Sequence, residues 1–238
     1  MSFRYFEPPP TRTVLEQVIG ILSLSSKYKV PHLQKRALLH LSTGYPSTLD
    51  AWKYRGDRST FLPITNHSVP YATLNIPKTL SVLQHLSRVG AFWLLPSAFY
   101  ECCRYAIKDI MEHPAWRDPG LDDGLKSAVI TGHMRHIEAS HQVIRFLQKP
   151  SEKECPKPSI CLNVRLLCLD QVASWSKQNP LGFWDEGDWE LLEELCTDCH
   201  KAAKARHVTA CEDLWQGLPE LYDLPPWDTL LDMKQSFE

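Results

Sequence analysis

The sequence predicts an all-α protein, and three observations carry that reading. Apolar residues recur three and four apart over most of the chain, as on the buried face of an amphipathic helix. Period-two alternation is confined to Tyr71–Ile76, and Pro and Gly punctuate the periodic stretches. The composition agrees: 238 residues, 43% hydrophobic and 23% charged, describe an ordinary globular chain of one large or two small domains.

The first element is a helical hairpin. Val14, Leu15, Val18, Ile19 and Leu22 mark one helix face, and Val30, Leu33, Ala37, Leu38 and Leu41 mark a second. Pro31 falls in the first turn of the second helix, where the N–H it lacks would have had no partner, and Gly44-Tyr45-Pro46 supplies a stop and a new start. A connection this short makes the two helices antiparallel neighbours. The stretch 53–77, with Gly56, Pro63, Pro70 and Pro77, is expected as an exposed, mobile loop. Leu80, Leu83, Leu86 and Val89 open a helical extension, 78–148, with further helices over 97–112 and 121–148. Residues 149–161, beginning KPSEKECPKPS, are charged and proline-rich and are expected to link it to a C-terminal helical subdomain, 162–238. There the spacing predicts helices over 162–178, 187–206 and 208–217, with the subdomain boundary near 150–160.

The formal charge of −2 conceals a bipolar chain: residues 1–110 carry 13 Lys/Arg against 6 Asp/Glu, and residues 111–238 carry 13 against 22. In the basic half only Lys27, Lys29, Lys35 and Arg36 are concentrated, and they form no aromatic platform for stacking bases, so no nucleic-acid partner is expected. Seven acids and no base lie between Phe183 and Cys199, ahead of Lys201, Lys204 and Arg206. That order complements the dipole of one helix beginning among the acids and ending among the bases. The N-terminal residues MSFRYFEPPPTRT hold no apolar signal core, and the longest apolar run, Ala91–Leu95, is far short of the roughly 20 residues a membrane-spanning helix needs. Neither secretion nor membrane insertion is expected. Eight cysteines without framework spacing read as reduced thiols of an intracellular protein, cytoplasmic or nuclear.

The glycines exclude nucleotide motifs. No two lie closer than Gly120 and Gly124; Gly182 and Gly187 have phosphate-loop spacing, but Asp188 stands where the lysine belongs and would repel phosphate. A G-x-S-x-G elbow and an H-E-x-x-H helix are also absent. No catalytic or cofactor-binding residue is assigned, and the chain is expected to be non-enzymatic. His133, His136 and His141 share one helix, but only the first two lie on neighbouring turns, and Glu138 completes no metal spacing. Cys196-Thr197-Asp198-Cys199-His200 is the stronger pattern. Its C-x2-C can place two thiolates on one ion if the backbone turns between them, and Cys155 and Cys161 could supply the other pair. Against this, C-x5-C is a loose spacing, and two cysteines three apart in an amphipathic pattern also form a buried stripe. The preferred reading is therefore buried free thiols and no metal. The alternative is a zinc-stabilised helical module with four sulfurs about 3.5–4 Å apart around one point. A metal-dependent hydrolase, assembled from distant residues, would draw on His133, His136 and Cys199.

Large rings recur in Ala91–Tyr100, in Pro180–Trp184 with Trp189, and at Trp215 and Trp227. They suit places where helices cross; Trp227 is the candidate to stay exposed as an anchor for a partner. The ordered blocks ILSLSSKYKVPHLQKRALLHLSTGYPSTLDAW, TLSVLQHLSRVGAFWLLPSAFYECC, PLGFWDEGDWELLEELCTDC and LWQGLPELYDLPPWDTL resemble BTB/POZ-domain proteins of mushroom-forming fungi, over about residues 3–234. The resemblance implies that residues 1–52 are the C-terminal helical part of a BTB/POZ-like domain, that 12–42 is its closing hairpin, and that a multi-helix extension follows. It also implies a non-enzymatic protein–protein interaction module whose partners are proteins. The strands and early helices that the family uses for pairing, and for docking cullin-type ubiquitin ligases, have no counterpart in this sequence. An N-terminally truncated domain is therefore expected, with apolar surface left uncovered on the hairpin and a tendency to self-associate.

Overall fold

The computed structural model describes residues 6–55, 59–61, 71–150, 155–175, 179–182, 184–235 and 237, and helices make up most of them. The helices are α1 (Leu15–Lys27), α2 (Pro31–Gly44), α3 (Leu49–Lys53), α4 (Tyr71–Val89), α5 (Leu95–Cys103), α6 (Ile107–Glu112), α7 (Asp123–Val143), α8 (Pro158–Trp175), α9 (Glu186–Glu190), α10 (Thr197–Gln216) and α11 (Trp227–Gln235). The described residues contain no strand beyond an isolated parallel bridge between Thr13 and Phe61. The fold is all-α.

The chain forms two compact units, Met1–Gly132 with Leu218–Glu238, and His133–Gly217. The division falls inside α7, not at 149–161; the described part of that proline-rich stretch belongs to the second unit, where Cys155 and Cys161 join the core. The last 21 residues return to the first unit, a pairing no local pattern can announce.

In the first unit, α1 and α2 form the expected hairpin around Val18, Leu22, Ala37 and Leu41, all fully buried. Lys29 turns the chain with a positive φ of 54°, and the Val30 N–H closes the turn on the Ser25 carbonyl at 2.8 Å. The hairpin is partly covered by the chain on either side of it. Arg36 donates to the Phe6 carbonyl at 2.9 Å, and buried His40 spans the Glu7 carbonyl at 2.7 Å and the Thr60 hydroxyl at 2.9 Å. Leu24 and Tyr28, near the tip, stay exposed.

Residues 71–77 are not loop or strand but the first turns of α4, because Ile76, Leu80 and Leu83 continue one buried stripe at helical spacing. Of the rest of the expected exposed loop, Lys53 ends α3 and 59–61 is held against the hairpin, with Thr60 buried on His40 and Thr43 and Phe61 bridged to Thr13; 56–58 and 62–70 lie outside the described residues. Gly90, at φ 74°, ends α4 with the Ala91 N–H returning to the Leu86 carbonyl. The helix expected over 97–112 is two helices, parted where the Tyr105 N–H turns back on the Cys102 carbonyl and Ala106 is extended. Buried α5 is the hub: Tyr100 meets Trp52 edge-on, Phe99 stacks on Tyr222 at 5.0 Å, and just before α5 Trp93 packs against Phe237. Trp227 is 6% exposed, so it serves the core and not as a surface anchor.

The second unit surrounds Ile144, Phe146, Leu147, Val164, Cys168, Val172, Trp184, Leu192 and Leu195. The helices expected over 187–206 and 208–217 are differently divided. Asp185 and Asp188 form a reciprocal capping box that starts the short α9, the chain turns over Leu191–Leu195, and α10 then runs unbroken from Thr197 to Gln216. Lys201, Lys204 and Arg206 therefore sit within α10 and not at its end, and Arg206 spends its guanidinium on the carbonyls of Lys149 and Pro150 at 3.0 and 2.6 Å.

Candidate metal centre

The break between α9 and α10 changes what Cys196-x2-Cys199 can do. In one continuous helix the two thiols would lie one turn apart along a stripe. Instead Cys196 is the extended residue before α10 (φ −63°, ψ 156°) and Cys199 sits in its first turn, so the backbone bends and both sulfurs face the same point. The other pair arrives in the same manner: Cys155 precedes α8, and Cys161 lies in its first turn with its N–H on the Lys157 carbonyl.

These four thiols converge. The Cys155 Sγ lies 3.7 Å from that of Cys196 and 3.6 Å from that of Cys199, and all four sulfurs are within 4.8 Å of one another. Cys161 and Cys199 are buried, Cys155 and Cys196 half-buried, and none is in a disulfide. The Cys196 N–H donates to the Cys161 Sγ at 3.3 Å. The backbone amide of Cys199, foremost, holds the Cys196 thiol down at about 7, whereas burial raises that of Cys161. Two helix N-termini, the positive ends of α8 and α10, lie at the cluster and favour thiolate over thiol.

Beneath the cluster is an aromatic core. Trp184 and Trp189 are 4.7 Å apart between ring centroids, Phe146 is 5.3 Å from Trp184, and His207 lies 5.4–5.6 Å from all three. Burial pulls the His207 pKa down to about 4, and its Nε2 lies 3.8 Å from the Cys211 Sγ. Neither His207 nor Cys211 stood out in the sequence, where the one visible signal is their spacing of four on a helix.

The other candidates do not assemble. His136 is buried, His133 half-buried and His141 exposed along α7, and among the described residues the four cysteines are the one group with metal-ligand geometry. Cys199 is thus gathered with cysteines and not with His133 or His136, as a hydrolytic metal site drawing on those three would require. Cys102 and Cys103 are buried in α5, where desolvation drives the Cys102 thiol up to about 12; they behave as apolar packing residues. No described helix is long and apolar enough to cross a membrane. No protein-family model, curated protein or solved structure matches this chain.

Proposed function

We propose that this chain is a non-enzymatic, intracellular helical module that binds a partner protein through α8. The observation that carries the reading is the outward face of that helix. Cys161, Val164, Cys168 and Val172 form its buried stripe, yet Leu162 and Leu166 on one flank, and Ile160 and Leu167 on the other, are 47–61% exposed. Single exposed leucines are ordinary on a protein surface, but Leu162 and Leu166, one turn apart on the same flank with Leu169 beside them, make a local apolar row of the kind that marks an interaction site. Leu169, on the same side of α8, lines a depression with His141, Gln142, Ile144, Arg145 and Gln148, and exposed Asn163 and Asp170 lie on the other side of the row, so its rim is polar and carries both a base and an acid. A partner that presents an apolar helix face, with an acid toward Arg145 and a base toward Asp170, suits this surface. The resemblance to BTB/POZ proteins, an interaction family, supports the same conclusion.

The test compares the wild-type chain with Leu162→Lys/Leu166→Lys, both surface positions, as bait for quantitative affinity purification. Partners enriched by the wild type and lost with a variant of unchanged melting temperature support the reading. A partner set that the double substitution leaves intact overturns it.

A further inference from the structure

We propose that Cys155, Cys161, Cys196 and Cys199 hold one zinc ion in a closed tetrahedral site that staples the first turns of α8 and α10 to the chain preceding α8. The inference is independent of the docking role of α8.

Distance is the first argument. Zinc–thiolate bonds near 2.3 Å in a tetrahedron place sulfurs about 3.8 Å apart; Cys155 stands 3.7 and 3.6 Å from Cys196 and Cys199, and no sulfur is more than 4.8 Å from another. A disulfide needs its sulfurs about 2.05 Å apart and arranges them in pairs, whereas these four surround a common point. Thiols packed for burial alone have no reason to converge, and Cys102, Cys103, Cys168 and Cys211 do not join them.

Charge is the second argument. Zinc displaces the four thiol protons to solvent and leaves a centre of formal double negative charge, which the surroundings must stabilise. Besides the N–H of Cys196 on the Cys161 Sγ, they provide a buried cation: Arg165 is 5% exposed, donates its Nε to the carbonyl of Cys161 at 3.1 Å, and keeps Nη1 buried with no hydrogen-bond partner among the described residues. A cation so buried calls for negative charge nearby, and a tetrathiolate centre that includes Cys161, one helical turn away on α8, would supply it.

Chemistry selects the ion. Four soft sulfur donors exclude calcium and magnesium, which take oxygen ligands, and favour zinc. An iron–sulfur cluster binds its thiolates to different irons and so holds them farther apart than ligands of one atom. With four protein ligands no coordination position is open to water or substrate, so the ion is structural and does no hydrolysis.

The experiment uses the full chain purified without chelator, with zinc and iron counted by plasma mass spectrometry and native mass spectrometry, followed by cobalt substitution. One zinc per chain is expected, as is a blue-green cobalt form with the intense sulfur-to-cobalt bands of a tetrahedral tetrathiolate. Cys155→Ser should weaken metal retention at least tenfold, and Cys211→Ala should leave it unchanged. Should Cys155→Ser fail to fold, alkylation of the wild-type chain decides: Cys155 and Cys196 should be shielded in the metal-loaded chain and modified together once a strong chelator is added. Less than one-tenth equivalent of zinc after growth in zinc-supplemented medium, iron as the resident metal, a pink octahedral cobalt spectrum, or alkylation indifferent to the chelator each overturns the proposal.

Discussion

A histidine enclosed by aromatic rings has no water to share a charge, and His207 shows the consequence. Phe146, Trp184 and Trp189 surround it, and burial lowers its pKa from 6.5 to about 4. The unfolded chain takes up the proton near pH 6.5 and the folded chain only near pH 4. Stability is therefore unaffected by this group above pH 6.5, falls by about 1.4 kcal/mol per pH unit between the two values, and levels off below. His207→Leu should flatten that slope, read as urea midpoints from pH 7 to pH 4.5. Loss of metal in the same range would affect both proteins, so their difference isolates His207; parallel profiles would exclude it. Two glycines make an opposed pair at the same scale. A Cβ on Gly132 would stand 2.4 Å from the Tyr222 ring, but on Gly20 it would meet nothing within 4 Å. Gly132→Ala should destabilise by about 1–3 kcal/mol through overpacking. Gly20→Ala, on exposed helix, should stabilise by roughly 0.5–1 kcal/mol. Equal effects in denaturant titrations would refute the close approach of α7 to Tyr222.

Among the elements, the hairpin was legible because each of its signals is local: a stripe at helical spacing, Pro31 at the start of α2 and a short connection. The turn at Leu191–Leu195 was not, because Leu191, Leu192 and Leu195 also fit a helical stripe. What decides against a continuous helix is tertiary, namely that Leu192, Leu195 and Cys199 all reach the core of the second unit. The same turn separates a pair of residues from a site. Both cysteine pairs were visible in the sequence, but their convergence depends on two helix starts meeting across 41 residues, from Cys155 to Cys196, which spacing alone cannot report. The capping box controls the entry to this region: the Asp185 carboxylate accepts from the Asp188 N–H and the Asp188 carboxylate from the Asp185 N–H, each at 3.0 Å. Asp185→Ala should cost about 1 kcal/mol and Asp185→Ser should recover most of it, since both Asp and Ser cap well. Identical melting temperatures for all three proteins would show that α9 gains nothing from its cap.

For the whole molecule, the misplaced boundary has a physical cause. Proline and charge at 149–161 read as a solvated linker, yet Cys155 and Cys161 anchor this stretch in the second unit, and Arg206 holds the carbonyls of Lys149 and Pro150. The return of 218–238 to the first unit rests on Phe99 with Tyr222 and Trp93 with Phe237, pairs more than a hundred residues apart and silent in any window of sequence. This division sets an expectation for metal removal. All four cysteines lie in His133–Gly217, and the free energy of a structural zinc site is folding free energy for the residues it joins. Stripping the ion should therefore open the second unit while the first keeps its own core of Leu22, Leu41, Leu83 and Phe99. Hydrogen exchange followed by mass spectrometry, with and without a strong chelator, should show protection lost over α8 and α10 and retained over α1, α2 and α5. Uniform loss would mean that the two units unfold as one cooperative body. Unchanged protection over α8 and α10 would mean that their packing against Phe146, Trp184 and Leu192 suffices without a metal.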